Sequence, residues 1–360
     1  MLTHRIYYQL KPFIPRSLQI ALRRMIVLRK RELYQHIWPI DEKAKKPPEG
    51  WSGWPGQKQF ALVLHHDVDT AGGHEKCHHL MELEEKMGFR SSFNFVPERY
   101  NVSSELRHLL VAKGFEVGVH GLKHDGKLFS SRKTFEKQAV RINHYLKDWK
   151  SVGFVSPSMH NNLDWISRLD IKHDCSTFDT DPFEPKPDGI GTIFPFWVPR
   201  NNSSNPSNPM NSNNPMDSSN LDPLSINLSP SSSNQNDPMR SALCAMRYSD
   251  GFIELPYTLP QDFTLFVLMK ERNIDIWKKK LDWIVDKGGM ALLITHPDYM
   301  NCKKGRCKMD EYPMEFYEEF LDYIKSKYEG QYWHALPREM ARFWKENFQT
   351  KEEMIPEIGE

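Results

Sequence analysis

The stretch Phe60-Ala-Leu-Val-Leu-His-His-Asp-Val-Asp-Thr70 decides how this chain is read. A short apolar run, Phe60 to Leu64, ending in charged residues suits a strand buried on both faces whose carboxyl end opens into a site. Alternation along a strand puts Asp67 and Asp69 on the same side. Outward from it, the pattern predicts a helix at about 75–88, a strand over 91–96, a helix at 104–113, a strand over 115–119 and a helix at 131–148. Strand-like runs recur at 153–155 and 289–294. Ordered structure resumes at Gly251-Phe-Ile-Glu-Leu-Pro256, and amphipathic helices follow at about 274–287 and 313–328. Strands alternating with helices imply an α/β protein with a parallel sheet and its function gathered at the strands' carboxyl ends.

The second informative stretch is Glu116-Val-Gly-Val-His-Gly-Leu-Lys-His-Asp125. His120 and His124, four residues apart, together with a carboxylate from another strand end make a three-ligand site that leaves metal positions open for water and substrate. The pair fits one face of a helical turn or a strand-end loop, and Gly118 and Gly121 favour the loop. Such a metal lowers the pKa of bound water and polarises a carbonyl. A neighbouring carboxylate takes the water's proton, and a departing amine needs an acid with a pKa near neutrality, which histidine supplies. His296 in Leu293-Ile-Thr-His-Pro297 follows an apolar run, where a parallel-sheet enzyme displays catalytic groups.

In this order, Asp67/Asp69, His120-x3-His124 and Leu293-Ile-Thr-His296-Pro, the motifs resemble those of the polysaccharide deacetylases of the NodB-homology, chitin deacetylase-like superfamily. The resemblance covers about residues 60–300. It implies an irregular (β/α) barrel, often seven-stranded, and a hydrolase removing acetyl from N-acetylhexosamine residues. It also implies a divalent metal, usually zinc, held by an aspartate and two histidines. On that pattern Asp69, His120 and His124 are the ligands, Asp67 the general base and His296 the general acid, with the roles of the two aspartates exchangeable. His66 is a further candidate to reach the metal, or a packed neighbour. The stretch Ser176-Thr-Phe-Asp-Thr-Asp-Pro-Phe-Glu184 corresponds to the family's substrate-groove motif. Candidate substrate contacts are Pro157, Ser158, Phe178, Asp179, Asp181 and Tyr257, the last from Glu254-Leu-Pro-Tyr-Thr-Leu-Pro-Gln-Asp262.

Two departures stand out. The family's first motif has adjacent aspartates, whereas Val68 separates them here. Its third motif carries an arginine that orients the catalytic aspartate, and Val155 in Gly153-Phe-Val-Ser-Pro157 stands at the matching place. A valine cannot hold a carboxylate by a bidentate pair, so turnover is in question. Two rival readings follow: a metal-free amidohydrolase of cyclic ureides or formamides on the same barrel, and a catalytically silent carbohydrate-binding protein.

Composition narrows the partners. The 360 residues are 39% apolar, enough for a sizeable core, and a formal net charge of +1 argues against nucleic acid as a partner. Five scattered cysteines without a disulfide framework suit a reducing compartment, and Cys302-x4-Cys307 lacks the second pair that structural zinc wants. No apolar run is long enough to span a membrane and none resembles a signal peptide, so a cytoplasmic location is expected. Without a signal peptide, a lipid-linked or nucleotide-linked glycan precursor is a reasonable carbohydrate substrate.

The expected organisation is a basic N-terminal helix and Pro/Gly/Trp-rich linker over 1–58, the barrel over 59–346 and a tail over 347–360. Residues 1–35 carry eight Lys/Arg against the single Glu32, with Leu18, Leu22, Met25, Ile26 and Leu28 among them. Such a helix either lies peripherally on an anionic membrane or docks on the domain with its basic face solvated. The Asn/Ser/Pro-rich segment 201–238 reads as a disordered insertion within the barrel.

Overall fold

The computed structural model describes residues 15–184, 189–200, 250–303 and 305–349. The expected insertion at 201–238, residues 1–14 of the basic segment and residues 350–360 of the tail lie outside these. The strand β1 (Phe60–Val68) is longer than its apolar run, and every residue of it is buried. His65, His66 and Asp67 extend it because neighbouring strands satisfy its backbone on both sides: β2 (Ser92–Phe95) pairs parallel through His65↔Ser92 to Val68↔Phe95, and β8 (Met290–Thr295) through Ala61↔Met290 to His66↔Thr295.

From β2 the parallel sheet continues through β3 (Glu116–His120), β4 (Gly153–Val155), β5 (His173–Asp174) and β7 (Gly251–Glu254). The antiparallel β6 (Phe196–Pro199) flanks β7, while β11 (Tyr332–His334) adds parallel to the start of β1. A separate two-residue pair joins β9 (Met300–Asn301) to β10 (Tyr312–Pro313). The segment after β7 closes the sheet: Phe178↔Tyr257 and Leu259↔Leu293 are single parallel bridges, and the amides of Thr258 and Leu259 both donate to Leu292 O at 3.1 Å. Counting β1–β5, β7 and β8, seven parallel strands form the irregular (β/α) barrel.

Helices connect most strands on the outside. α1 (Arg16–Tyr34) precedes the barrel; α2 (Ala71–Met87), α3 (Ser104–Ala112), α4 (Arg132–Trp149) and the short α5 (Leu163–Ile166) link β1 through β5. α6 (Asp275–Lys287) leads into β8, and α7 (Glu315–Tyr328) and α8 (Pro337–Trp344) end the fold. Ser103 and Ser131 cap α3 and α4 by accepting from Leu106 N and Thr134 N. A π-helix over Phe263–Met269, entirely buried, was not foreseen in the sequence pattern.

Three residues of the expected loop or linker over 36–58, Trp38, Ala44 and Trp54, are buried in the core. Trp54 is 4% exposed, donates from Nε1 to Gly288 O at 2.8 Å and stacks at 6.3 Å on Phe194, and Trp51 meets it at 4.5 Å. Prolines and glycines rule out regular structure there but not burial, and two indoles bring enough apolar area to dock an irregular segment. Trp54→Ala should lower stability by roughly 3–5 kcal/mol, as for large aromatic truncations, which equilibrium urea unfolding measures.

Candidate metal centre and active site

The carboxyl ends of β1, β3 and β8 deliver Asp67, Asp69, His120 and His296 to one cavity of about 1080 Å³. His120 ends β3 and His124 returns from the loop beyond it, with φ +53. The turn between them requires Gly121: its φ is +61, and a Cβ there would lie 2.4 Å from Pro157 Cγ. Asp69 Oδ1 lies 3.3 Å from His120 Nε2 and 3.1 Å from His124 Nε2. One ligand atom from each of the three residues falls within 4.8 Å of the others, the one such cluster among the described residues.

Three features fit these side chains to a divalent cation. Asp69 Oδ1 is buried and accepts no hydrogen bond, a costly state for a carboxylate unless a cation meets it. His120 Nδ1 is taken by Val155 O at 3.2 Å, which turns Nε2 towards Asp69. Asp298 fixes the backbone beneath the ligand, its Oδ2 accepting from Asp69 N at 2.8 Å while Oδ1 accepts from the Thr70 hydroxyl.

Asp67 is held by a residue the sequence reading passed over. His65, two residues back on the same side of β1, places Nε2 2.7 Å from Asp67 Oδ1, with Asn94 Nδ2 2.6 Å from that nitrogen. Burial lowers the pKa of His65 and keeps the imidazole neutral, so it serves Asp67 as a hydrogen-bond donor and not as a cation. Burial works to raise Asp67, but His120 and His65 outweigh it and bring its pKa down to about 2. The carboxylate is therefore ionised and receptive at neutral pH. The Val155 side chain lies in the core, and its contribution to the site is the carbonyl on His120.

His296 is paired with Asp262, the last residue of the stretch that carries Tyr257 and one to which the sequence pattern assigns no role. Nδ1 lies 2.7 Å from Asp262 Oδ1, and Asp262 Oδ2 accepts from His296 N at 2.8 Å and from Tyr312 OH at 3.0 Å. Burial disfavours the imidazolium, but Asp262 overrides it and raises the pKa of His296 to about 10. His296 thus carries a proton across the neutral range.

The remaining candidates divide. Ser158 lines the cavity, while Pro157 is buried behind it against Gly121. Phe178, Asp179, Asp181 and Tyr257 do not line it. Phe178 packs on Tyr257 at 5.4 Å, Lys280 Nζ donates to Asp179 Oδ2 at 2.6 Å, and Tyr257 OH donates to Asp181 Oδ2 at 2.9 Å. They form the floor beneath the groove, and Phe183 and Glu184 of the same stretch reach the cavity instead. His66 also points away, to Thr295 Oγ1 and Glu84 Oε1, each at 2.7 Å. The two described members of the Cys302/Cys307 pair are free thiols.

The seven-stranded irregular (β/α) barrel is also the fold of a solved structure described as a polysaccharide deacetylase, and this chain has that fold. It is similar to a Mycobacterium smegmatis protein assigned as a polysaccharide deacetylase, with a TM-score of 0.52 and 15% identity over 82% of this chain and 94% of that one. It is equally similar to Puue allantoinase, with a TM-score of 0.52 and 14% identity over 87% and 99% of the two chains. No family model matches the sequence, and no curated protein matches it.

Because Asp262 is what raises His296, Asp262→Asn should move that imidazole pKa down from about 10 by more than a unit, so that the proton is lost at lower pH. A histidine-labelled NMR titration reads this directly; an unmoved titration would show that other groups hold the proton.

Proposed function

We propose that the protein is a metal-dependent hydrolase that removes the acetyl group from an N-acetylated amino sugar in a glycan or glycan precursor. The observation that carries this reading is the convergence in one cavity of Asp69, His120 and His124, with an orphaned Asp69 Oδ1, beside an ionised Asp67 and a protonated His296. Zinc suits one carboxylate and two imidazoles. When bound by Asp69, His120 and His124 it supplies a Lewis acid for the amide carbonyl and an acidified water.

The chain's own groups account for the proton traffic. Asp67 takes the proton from water as its oxygen attacks the acetyl carbon, and His65 keeps that carboxylate in place. His296 gives its proton to the sugar nitrogen as the C–N bond breaks, since a free amide anion is too poor a leaving group. The products are acetate and the amine, and Asp262 stabilises His296 in the form that donates. His65 and Asp262 thus occupy the supporting positions that Val155 cannot fill.

Purified protein should contain an equimolar divalent metal and release acetate from N-acetylhexosamine substrates. His120→Ala should bring the metal to background, and His296→Ala should lower kcat by roughly 10²–10⁴-fold with metal retained. Turnover that survives chelation and His120→Ala points to the metal-free amidohydrolase chemistry, and glycan binding without any acetate to a silent binding protein.

We further propose that α1 holds the protein peripherally on an anionic membrane. Ile20 and Val27 seat the helix on the barrel, and Arg24 Nη2 donates to Val267 O at 3.0 Å. The outer face bears Leu18, Leu22, Met25, Leu28 and Leu33, five of the ten large apolar side chains exposed among the described residues, with Arg29 between them. An exposed apolar helix face carrying Arg29 matches an anionic bilayer surface, and no helix among the described residues is long and apolar enough to cross one. The protein should co-float with phosphatidylglycerol-containing vesicles and not with pure phosphatidylcholine, and Leu22→Glu with Leu33→Glu should abolish flotation. A protein that ignores both vesicles, or a dimer that this variant dissociates, refutes the membrane contact.

A further inference from the structure

The same helix α1 has a second face that lines the active-site cavity. Arg16, Arg23 and Lys30 recur every seven residues, so they lie in one row along the helix, and all three border the cavity together with Gln19 and Ile26. Arg16 lies 3.8 Å from Asp310, and Lys30 Nζ donates to Pro182 O at 2.8 Å. Arg23 has neither kind of partner: its guanidinium lies 4.8 Å over the Phe263 ring, with no carboxylate in ion-pair range among the described residues.

From there the contacts lead straight to the reacting groups. Phe263 packs on Tyr299 at 4.6 Å, and Tyr299 meets the His296 ring at 5.2 Å and places its hydroxyl 3.5 Å from Asp69 Oδ2. Arg23 therefore stands two side chains from the metal cluster, and Arg99 and Lys127 are exposed at the same cavity's border. The lining carboxylates outside the metal cluster all have hydrogen-bond or ion-pair partners: Asp67 has His65, Asp298 has Asp69 N and Thr70, Asp125 has Lys127 N, Asp310 has Arg16, and Glu184 has Tyr257 and Gln261. Burial pushes Glu184 up to about 8, which keeps it protonated at neutral pH. Arg23, Lys30, Arg99 and Lys127 are the lining Arg and Lys side chains with no ion pair among the described residues.

We infer that the cavity has an anion subsite centred on Arg23, flanked by Arg16 and Lys30, that takes the phosphate or diphosphate carried by the amino-sugar substrate. A guanidinium matches two phosphate oxygens at once, and the Phe263 face holds its plane. Unpaired cations in a walled cavity also raise the local concentration of an anionic substrate. This identification of the substrate class rests on the deacetylase reading.

The test compares acetate release by the zinc-loaded full chain from three substrates: a neutral N-acetylhexosamine oligomer, a nucleoside-diphosphate N-acetylhexosamine and a polyprenyl-diphosphate N-acetylhexosamine. At least one phosphate-bearing substrate should exceed the neutral one by about tenfold in kcat/KM, the size of one charge-assisted contact, and which of the two does so identifies the carrier. Arg23→Ala should raise KM for that substrate several-fold more than for the oligomer. Calorimetry with inorganic pyrophosphate and the Asp67→Asn protein gives a readout without turnover, and Arg23→Ala should weaken that binding about tenfold. Acetate release that is indifferent to phosphate, or pyrophosphate that does not bind, overturns the subsite and leaves the deacetylase standing. Pyrophosphate binding with no acetate from any substrate overturns the deacetylase and leaves the subsite.

Discussion

A carboxylate buried among histidines sets the terms for the rest of this structure. Asp69 sits in the wall of a deep cavity with Oδ1 in no hydrogen bond; burial costs its charged form, and His124 and His120 outweigh that cost and hold its pKa well below the ordinary carboxylate value. The fold meets that cost from three directions. β3 and its glycine turn bring two imidazoles to within 3.3 Å, Asp298 anchors the backbone from the far end of the chain, and Tyr299 approaches the second oxygen. The three candidate ligand atoms lie within 4.8 Å of one another, a spacing at which a cation could meet that oxygen.

Around that cluster two histidines are driven in opposite directions by their surroundings. His65 and His296 are both buried and both touch an aspartate at 2.7 Å, yet His65 is neutral and His296 protonated. For His65, burial wins over Asp67. For His296, Asp262 is joined by the charges of Asp69 and Asp67, and together they outweigh burial. Separating two similar pairs in this way gives one carboxylate free to accept a proton and one imidazole ready to donate. Asp67 is oriented without an arginine at position 155: its support, His65, comes from within β1 itself.

Much of the barrel was legible because its signals are local. Five of the seven strands, β1–β4 and β8, show as short apolar runs between helical stretches, β7 falls where ordered structure is expected to resume, and the two-residue β5 has no local signal. β1 ran on through His65, His66 and Asp67 because strands on both sides took up its backbone groups, which no local pattern announces. The floor residues Phe178, Asp179, Asp181 and Tyr257 carry the right chemistry for a sugar groove, but the bridge Phe178↔Tyr257 turns that segment into barrel wall and buries them. Lys280, 101 residues away, supplies the cation for Asp179.

The sequence by itself determined the α/β class and singled out Asp69, His120 and His124 as candidate ligands and Asp67 with His296 as candidate base and acid, since strand periodicity and ligand spacing are properties of contiguous chain. The tertiary structure decided everything that joins distant segments. It placed Asp262 against His296 across 34 positions, Asp298 beneath Asp69 across 229, and the basic face of α1 on the cavity while its apolar face stayed outside. Those contacts depend on strand order and on how the barrel closes. Residue types along a line specify which groups need partners, and only the closed sheet specifies which partners come within reach.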